Sequence, residues 1–186
     1  MVKAIPRSGW VSHGVALQDV ESVADHSYST CGLAMLLADM ETEKGRPVDV
    51  ERVLRLALLH DLAEALTFDI SKSYLEYLGR RGEAIKREVE EAAWRHIIES
   101  IQSASIRKNY ASLWLEFNAE ETLESKIVHA ADGLDILFQV VEYTGRGYPK
   151  AMLADLWAGT NRRLTHVRLS SVRELRKIAV RLYKTR

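Results

Sequence analysis

The sequence predicts an all-α fold, a single bundle of about six to eight helices. Three observations carry this expectation. Apolar residues recur at the three- and four-residue spacing of a helix along almost the whole chain. Alternating runs of β-branched residues bounded by turn signals are missing. The prolines stand only at Pro6, Pro47 and Pro149, at boundaries between periodic segments rather than inside them. At 186 residues the chain suits one domain over residues 1–186, large enough to bury a core without covalent staples.

The elements follow in order. Ser22, with Asp25 three residues on, resembles a capping box. It opens a helix that carries Val23, Leu33, Leu36, Leu37 and Met40 inward and stops near Lys44-Gly45. Pro47 and Asp49 start a second helix, expected to run through Val53, Leu54, Leu56, Ala57, Leu58 and Leu59 to about Leu66. A short helix is expected over 72–78, before Gly79. A highly charged one spans 83–101, with Ile85, Val89, Ala92, Ala93, Ile97 and Ile98 as its stripe. Another covers 106–117. A long amphipathic helix spans 121–143 with Leu123, Ile127, Val128, Ala131, Leu134, Leu137 and Val141 inward, and Gly145-Arg146-Gly147 breaks it. Two more are expected near 149–159 and 171–183.

Composition narrows the partners. The 26 basic and 26 acidic side chains cancel, which argues against a nucleic-acid polymer or an anionic membrane as partner, since both usually select a basic excess. Cys31 is the only cysteine, so an intramolecular disulfide and a cysteine-rich zinc site are excluded. Its apolar surroundings predict a buried, inert thiol. No apolar run approaches the roughly 20 residues of a membrane span, and the first residues lack a signal-peptide core. A cytoplasmic protein is expected.

The informative residues are polar groups where helices should be apolar. His60 and Asp61 close the run Leu56-Ala57-Leu58-Leu59. Burying an imidazole beside a carboxylate is costly unless both are paired or bound to a cation. Glu64 lies one turn beyond His60 on the same face of a continuous helix. His26 precedes the apolar run that begins at Cys31, and Asp132 sits among Ile127, Val128, Ala130, Ala131 and Leu134. Three helices thus each offer ligands: His26, then His60 and Asp61, then Asp132. Two imidazoles and two carboxylates suit a divalent cation such as Mn²⁺, Co²⁺, Mg²⁺, Ni²⁺ or Zn²⁺. His13, His96, His129 and His166 read as structural or surface residues.

The order His, His-Asp, Asp, with the pair inside Leu58-Leu59-His60-Asp61-Leu62-Ala63-Glu64, resembles the HD-domain superfamily of metal-dependent phosphohydrolases. Pro6-Arg7-Ser8-Gly9-Trp10, Glu21-Ser22-Val23-Ala24-Asp25-His26-Ser27, and Asp69-Ile70 after the His-Asp segment are similar to its 5′-deoxynucleotidase branch, which has bacterial and eukaryotic members. Glu124-Ser125-Lys126-Ile127-Val128 and Gln139-Val140-Val141-Glu142-Tyr143 extend the likeness. The metal-site core would cover about 4–143, with C-terminal helices over about 149–186.

The resemblance implies hydrolysis of deoxyribonucleoside 5′-monophosphates, with His26, His60, Asp61 and Asp132 as metal ligands. It also implies catalytic roles for Glu64 and Asp69, and a possible second cation at Glu64, Asp69 and Ile70. Arg7 matches a phosphate-binding residue and Trp10 a residue at the sugar. Some bacterial members have the Arg and Trp adjacent, whereas two residues separate them here, as in the eukaryotic spacing. Trp10 reads equally as a core anchor, and Asp69 as a ligand of the 3′-hydroxyl or of a second cation. A small-molecule nucleotide substrate and a homodimer are the implied partners. The alternatives are another HD-type hydrolase, acting on cyclic nucleotides, nucleoside triphosphates or (p)ppGpp, or a metal-stabilised helical interaction module without turnover.

Overall fold

The computed structural model describes residues 2–186, and the side chains of all of these but residues 72 and 73. The elements are α1 (Ser8–Ser12), α2 (Val23–Glu43), α3 (Val50–Leu59), α4 (Glu64–Thr67), α5 (Lys72–Leu75), α6 (Gly82–Glu99), α7 (Ala104–Ala119), α8 (Leu123–Gly145), α9 (Ala154–Thr165) and α10 (Ser170–Thr185). Short 3₁₀ turns cover Val2–Ala4, Glu76–Arg81 and Lys150–Leu153. Among the described residues there is no strand, only an isolated antiparallel bridge between Pro6 and Ser22. The all-α expectation holds. Seven of these α-helices have ten residues or more, within the expected six to eight. The remaining three are single turns, too short to show a period.

Helix starts follow local chemistry. Ser22 and Asp25 form a reciprocal box: the Asp25 amide donates to Ser22 Oγ at 3.1 Å, and the Ser22 amide donates to Asp25 Oδ2 at 2.9 Å. Asp49 accepts from the Arg52 amide at 3.0 Å before α3. Thr122 Oγ1 accepts from the Ser125 amide at 3.1 Å at the start of α8.

The chain forms two compact units, one of Met1–Ser27 with Leu58–Asn118, the other of Tyr28–Ala57 with Ala119–Arg186. In the first, Trp94 of α6 stacks on Trp114 of α7, with ring centroids 4.8 Å apart. Ala63, Ala93, Leu59, Leu62, Ile98 and Tyr110 pack around this pair. Of the stripe expected on α6, Ala93 is buried and Ile85, Ile97 and Ile98 are half-buried, while two positions differ. Val89 and Ala92 face solvent, whereas Gly82, Lys86, Glu90, Ala93 and Trp94 turn inward. Gly82 has a steric reason: a Cβ there would lie 2.4 Å from the Leu75 carbonyl oxygen.

In the second unit α8 is the core helix, buried along Val128, Ala131, Leu134, Leu137 and Val140 and packed against α9 and α10. The buried side chains of α2 in this unit are Thr30, Ala34, Leu37, Ala38 and Glu41. Leu36, expected inward, is exposed, and Cys31 is half-buried rather than fully buried. Partial burial pushes the Cys31 thiol up from its ordinary value, so it stays protonated and unreactive. Buried Glu41 accepts from the Ser171 amide at 3.0 Å and its hydroxyl at 2.6 Å. A carboxylate there suits the positive end of α10.

The helix expected to reach Leu66 ends at Leu59. Residues 60–63 are a turn, closed by three-residue bonds: Leu62 N–H to Leu59 O at 3.1 Å, and Glu64 N–H to Asp61 O at 3.0 Å. Tightening toward 3₁₀ geometry changes which side chains share a face. His60, Asp61 and Glu64 are therefore presented by a turn between α3 and α4, not by one continuous helical stripe.

Candidate active site

The first unit brings Arg7, His26, His60, Asp61, Glu64 and Asp69 together. His26 is fully buried in the first turn of α2, placed there by the capping box, and His60 is buried just after α3. Their Nε2 atoms are 3.3 Å apart. Asp61 Oδ2 lies 3.4 Å from His26 Nε2 and 3.2 Å from His60 Nε2. The edge-on ring of Phe117, 5.9 Å from that of His60, packs against it. Three ligand-type atoms thus converge within one coordination sphere. Ligands about 2.1 Å from a common cation, in tetrahedral or octahedral geometry, are separated by about 3.0–3.4 Å. The donor set fits a divalent cation.

Arg7, just before α1, covers the acidic side of this cluster. Its Nη1 is 2.9 Å from Asp61 Oδ2, 3.5 Å from Glu64 Oε2 and 3.7 Å from Asp69 Oδ1. Asp69 is also fixed by the Ser8 amide, which donates to its Oδ2 at 2.7 Å. The residue before it, Phe68, has φ 59° and ψ 164°, a region that side-chain-bearing residues rarely enter. Backbone strain therefore sits directly beside a site carboxylate. Ile70 is half-buried. The guanidinium meets Glu64 and Asp69, two of the three residues at which the resemblance allows a second cation.

The carboxylates are driven apart in acidity. Burial alone would raise Asp61, but His60, the Arg7 guanidinium and His26 outweigh it and hold its carboxyl well below the usual range. Glu64 goes the other way. Burial, then the negative charges of Asp61 and Asp69, push it up to about 9, with Arg7 and Lys86 opposing. One ionised and one protonated carboxyl side by side is a pattern common at hydrolytic sites.

Trp10 and Asp132 each make a further contact. Trp10 is buried in α1 and its Nε1–H donates to Glu21 Oε1 at 2.7 Å, the disposition of a core anchor with its polar end satisfied. Asp132 belongs to the second unit, where Arg163 Nη2 stands 3.3 Å from its Oδ2. Gly133 beside it admits the close approach of Arg163 and Leu164. Sequence reasoning also missed Lys86 and Glu90, paired at 3.3 Å on α6 and electrostatically coupled to the acids of the site. Their signal was an opposite-charge pair four residues apart, in register with Ala93 and Trp94.

Residues 1–171 match the family model described as HD domain. The chain belongs to the HD domain family. Among relatives of this HD domain chain, the human protein named 5′-deoxynucleotidase HDDC2 is 30% identical over 165 residues, covering 89% of this chain and 74% of the relative. The 5′-deoxynucleotidase hdd1 of Schizosaccharomyces pombe is 31% identical over 166 residues, covering 85% and 75%. Among solved structures, a conserved hypothetical protein from Pyrococcus furiosus superposes with a TM-score of 0.78 at 33% identity, over 97% of this chain and 94% of that one. An HD-domain phosphohydrolase from Listeria innocua gives 0.82 at 23% identity, over 100% and 85%, a likeness of fold.

Proposed function

We propose that this HD domain chain is a metal-dependent phosphomonoesterase that converts deoxyribonucleoside 5′-monophosphates to deoxyribonucleoside and phosphate. The observation that carries the reading is the convergence of His26 Nε2, His60 Nε2 and Asp61 Oδ2 within 3.4 Å of one another, beside a single arginine. Relatives named 5′-deoxynucleotidase, aligned over most of the chain, supply the substrate class.

His26, His60 and Asp61 hold the cation, with Asp132 as the fourth ligand by its place in the family's motif order. A bound divalent cation lowers the pKa of water and withdraws charge from a phosphate oxygen. Arg7 turns from the acids to the phosphate, where its planar fork can make two parallel bonds. Glu64 takes the proton of the attacking water. Its raised pKa gives it the basicity to do so near neutral pH, once added positive charge offsets part of the rise. The same proton then passes to the leaving 5′-oxygen, so that no free alkoxide forms. Asp69, anchored by Ser8, orients the sugar through its 3′-hydroxyl. No described helix is long and apolar enough to cross a membrane. The reading has a cytoplasmic homodimer, each chain one domain over 1–186.

The test is phosphate release from paired deoxy- and ribonucleoside 5′-monophosphates with Mn²⁺, Co²⁺, Mg²⁺, Ni²⁺ or Zn²⁺ and with chelator. Turnover should vanish on chelation, return with at least one metal, and favour the deoxy substrates about tenfold or more. Asp61→Ala should lose metal and turnover together. Release confined to cyclic or triphosphate substrates, or full activity in Asp61→Ala, would overturn the reading.

A further inference from the structure

The first unit carries a feature that this chemistry leaves unused. An open surface depression with a cavity volume of about 470 Å³ lies between α1 and the chain following Ser71, lined by Ser12, Tyr74, Glu76 and Tyr77. Its size falls within the range of small-molecule sites.

Its position relative to the acids is set by two hydrogen-bonded segments. At one end the Ser8 amide is fixed on Asp69. At the other, Ser12 Oγ lies 3.2 Å from Ser71 Oγ. Between them α1 rises about 1.5 Å per residue, so the cavity lies about 6 Å further along than the Arg7 and Asp69 end. That offset is about the length of one sugar with its 5′-carbon. A phosphate at Arg7 and a ribose beside Asp69 would bring the next group of a nucleotide to the cavity.

The lining has the chemistry to receive that group. Tyr74 is 51% exposed and Tyr77 91%, so aromatic surface of both remains in water. Phe68 and Leu78, in the same stretch of chain, are exposed as well. Such a concentration of exposed rings marks a binding surface more often than chance. The segment is also held in place: α6 presses on Leu75 through the one position, Gly82, that has no side chain to prevent it.

From this arrangement, and resting on the nucleotidase reading, we infer that the Ser12–Tyr74–Glu76–Tyr77 cavity is the nucleobase subsite, with Tyr74 stacking on the base. Stacking on an aromatic ring tolerates every base, since each has a π-face. Glu76 adds discrimination. Its carboxylate accepts from exocyclic amino groups and repels carbonyl oxygens, so cytosine and adenine are favoured over thymine.

The experiment compares kcat/KM for deoxycytidine 5′-monophosphate with that for 2-deoxyribose 5-phosphate, which has the phosphate and sugar but no base. In the unmodified enzyme the ratio should exceed about tenfold, the worth of one stacked base. Tyr74→Ala should lower the ratio about tenfold and Tyr74→Phe should preserve it, because phenylalanine keeps the stacking face. A ratio near one in the unmodified enzyme, or a Tyr74→Ala ratio equal to it, overturns the subsite. Binding of deoxycytidine alone, followed by saturation-transfer NMR, separates this inference from the reading beneath it. Transfer that is lost in Tyr74→Ala supports the subsite even if no phosphate is released. Transfer that survives Tyr74→Ala unchanged, or never occurs, overturns it.

Discussion

Glu64 makes the stability of the metal-free protein depend on pH in a direction that can be worked out. Its carboxyl ionises near 4.5 in the unfolded chain and at about 9 in the fold. Between those values the folded state keeps a proton that the unfolded state has released. Unfolding free energy must therefore fall as pH rises, by about 1.4 kcal/mol per unit for one proton. From pH 5.5 to 7.5 the loss from this one residue is about 3 kcal/mol, a sizeable part of a domain's stability. Asp61 shifts the opposite way, so its contribution is lost only in acid, below the usual carboxylate range, and leaves this window alone. Glu64→Gln cannot ionise and should remove the slope. The assay is urea denaturation in chelator at several pH values, for both proteins. Groups common to the two cancel in the difference. A saturating divalent metal should flatten the unmodified protein's slope, because nearby positive charge favours the ionised carboxyl. Parallel slopes for the two proteins in chelator would refute the placement of Glu64 as a buried, protonated acid.

Two further variants probe the backbone around the site. Phe68→Gly removes a left-handed strain of about 1–3 kcal/mol and a ring that is largely exposed, against a glycine entropy cost of about 0.5–1 kcal/mol. Urea denaturation should show it to be about 1 kcal/mol more stable, and a destabilised variant would count against strain at this position. Ser22→Ala removes the acceptor of the Asp25 amide and one donor to its carboxylate. It should cost about 1 kcal/mol and weaken metal binding measured by calorimetry, since His26 is the next residue but three in the same turn.

Much of the helical framework could be read from the chain because amphipathic periods of ten residues or more are unambiguous, and because Ser22 and Asp49 announce helix starts locally. The break after Leu59 could not. Leu62 and Ala63 continue an apolar pattern, and only tertiary packing selects three-residue closure there. The inward face of α6 was legible at Ile85, Ala93, Ile97 and Ile98 but not at Val89 and Ala92, because the Trp94–Trp114 stack sets the helix so that these two face solvent. In the site, His26, His60 and Asp61 stood out as polar groups in apolar surroundings, a signal that burial cost makes reliable. Lys86 and Glu90 were hidden because charges are ordinary on a helix with so many of them. Trp10 shows the limit of residue type as a guide, for its indole N–H answers to Glu21.

Gly82 has a consequence that reaches beyond its own contact. With the Leu75 carbonyl 2.4 Å from where a methyl would stand, position 82 acts as a molecular ruler between α6 and the tyrosine-bearing chain. Any family member with a side chain at the matching position must have those two segments further apart. One column of an alignment would then sort members by whether they can build this cavity, before any of them is assayed.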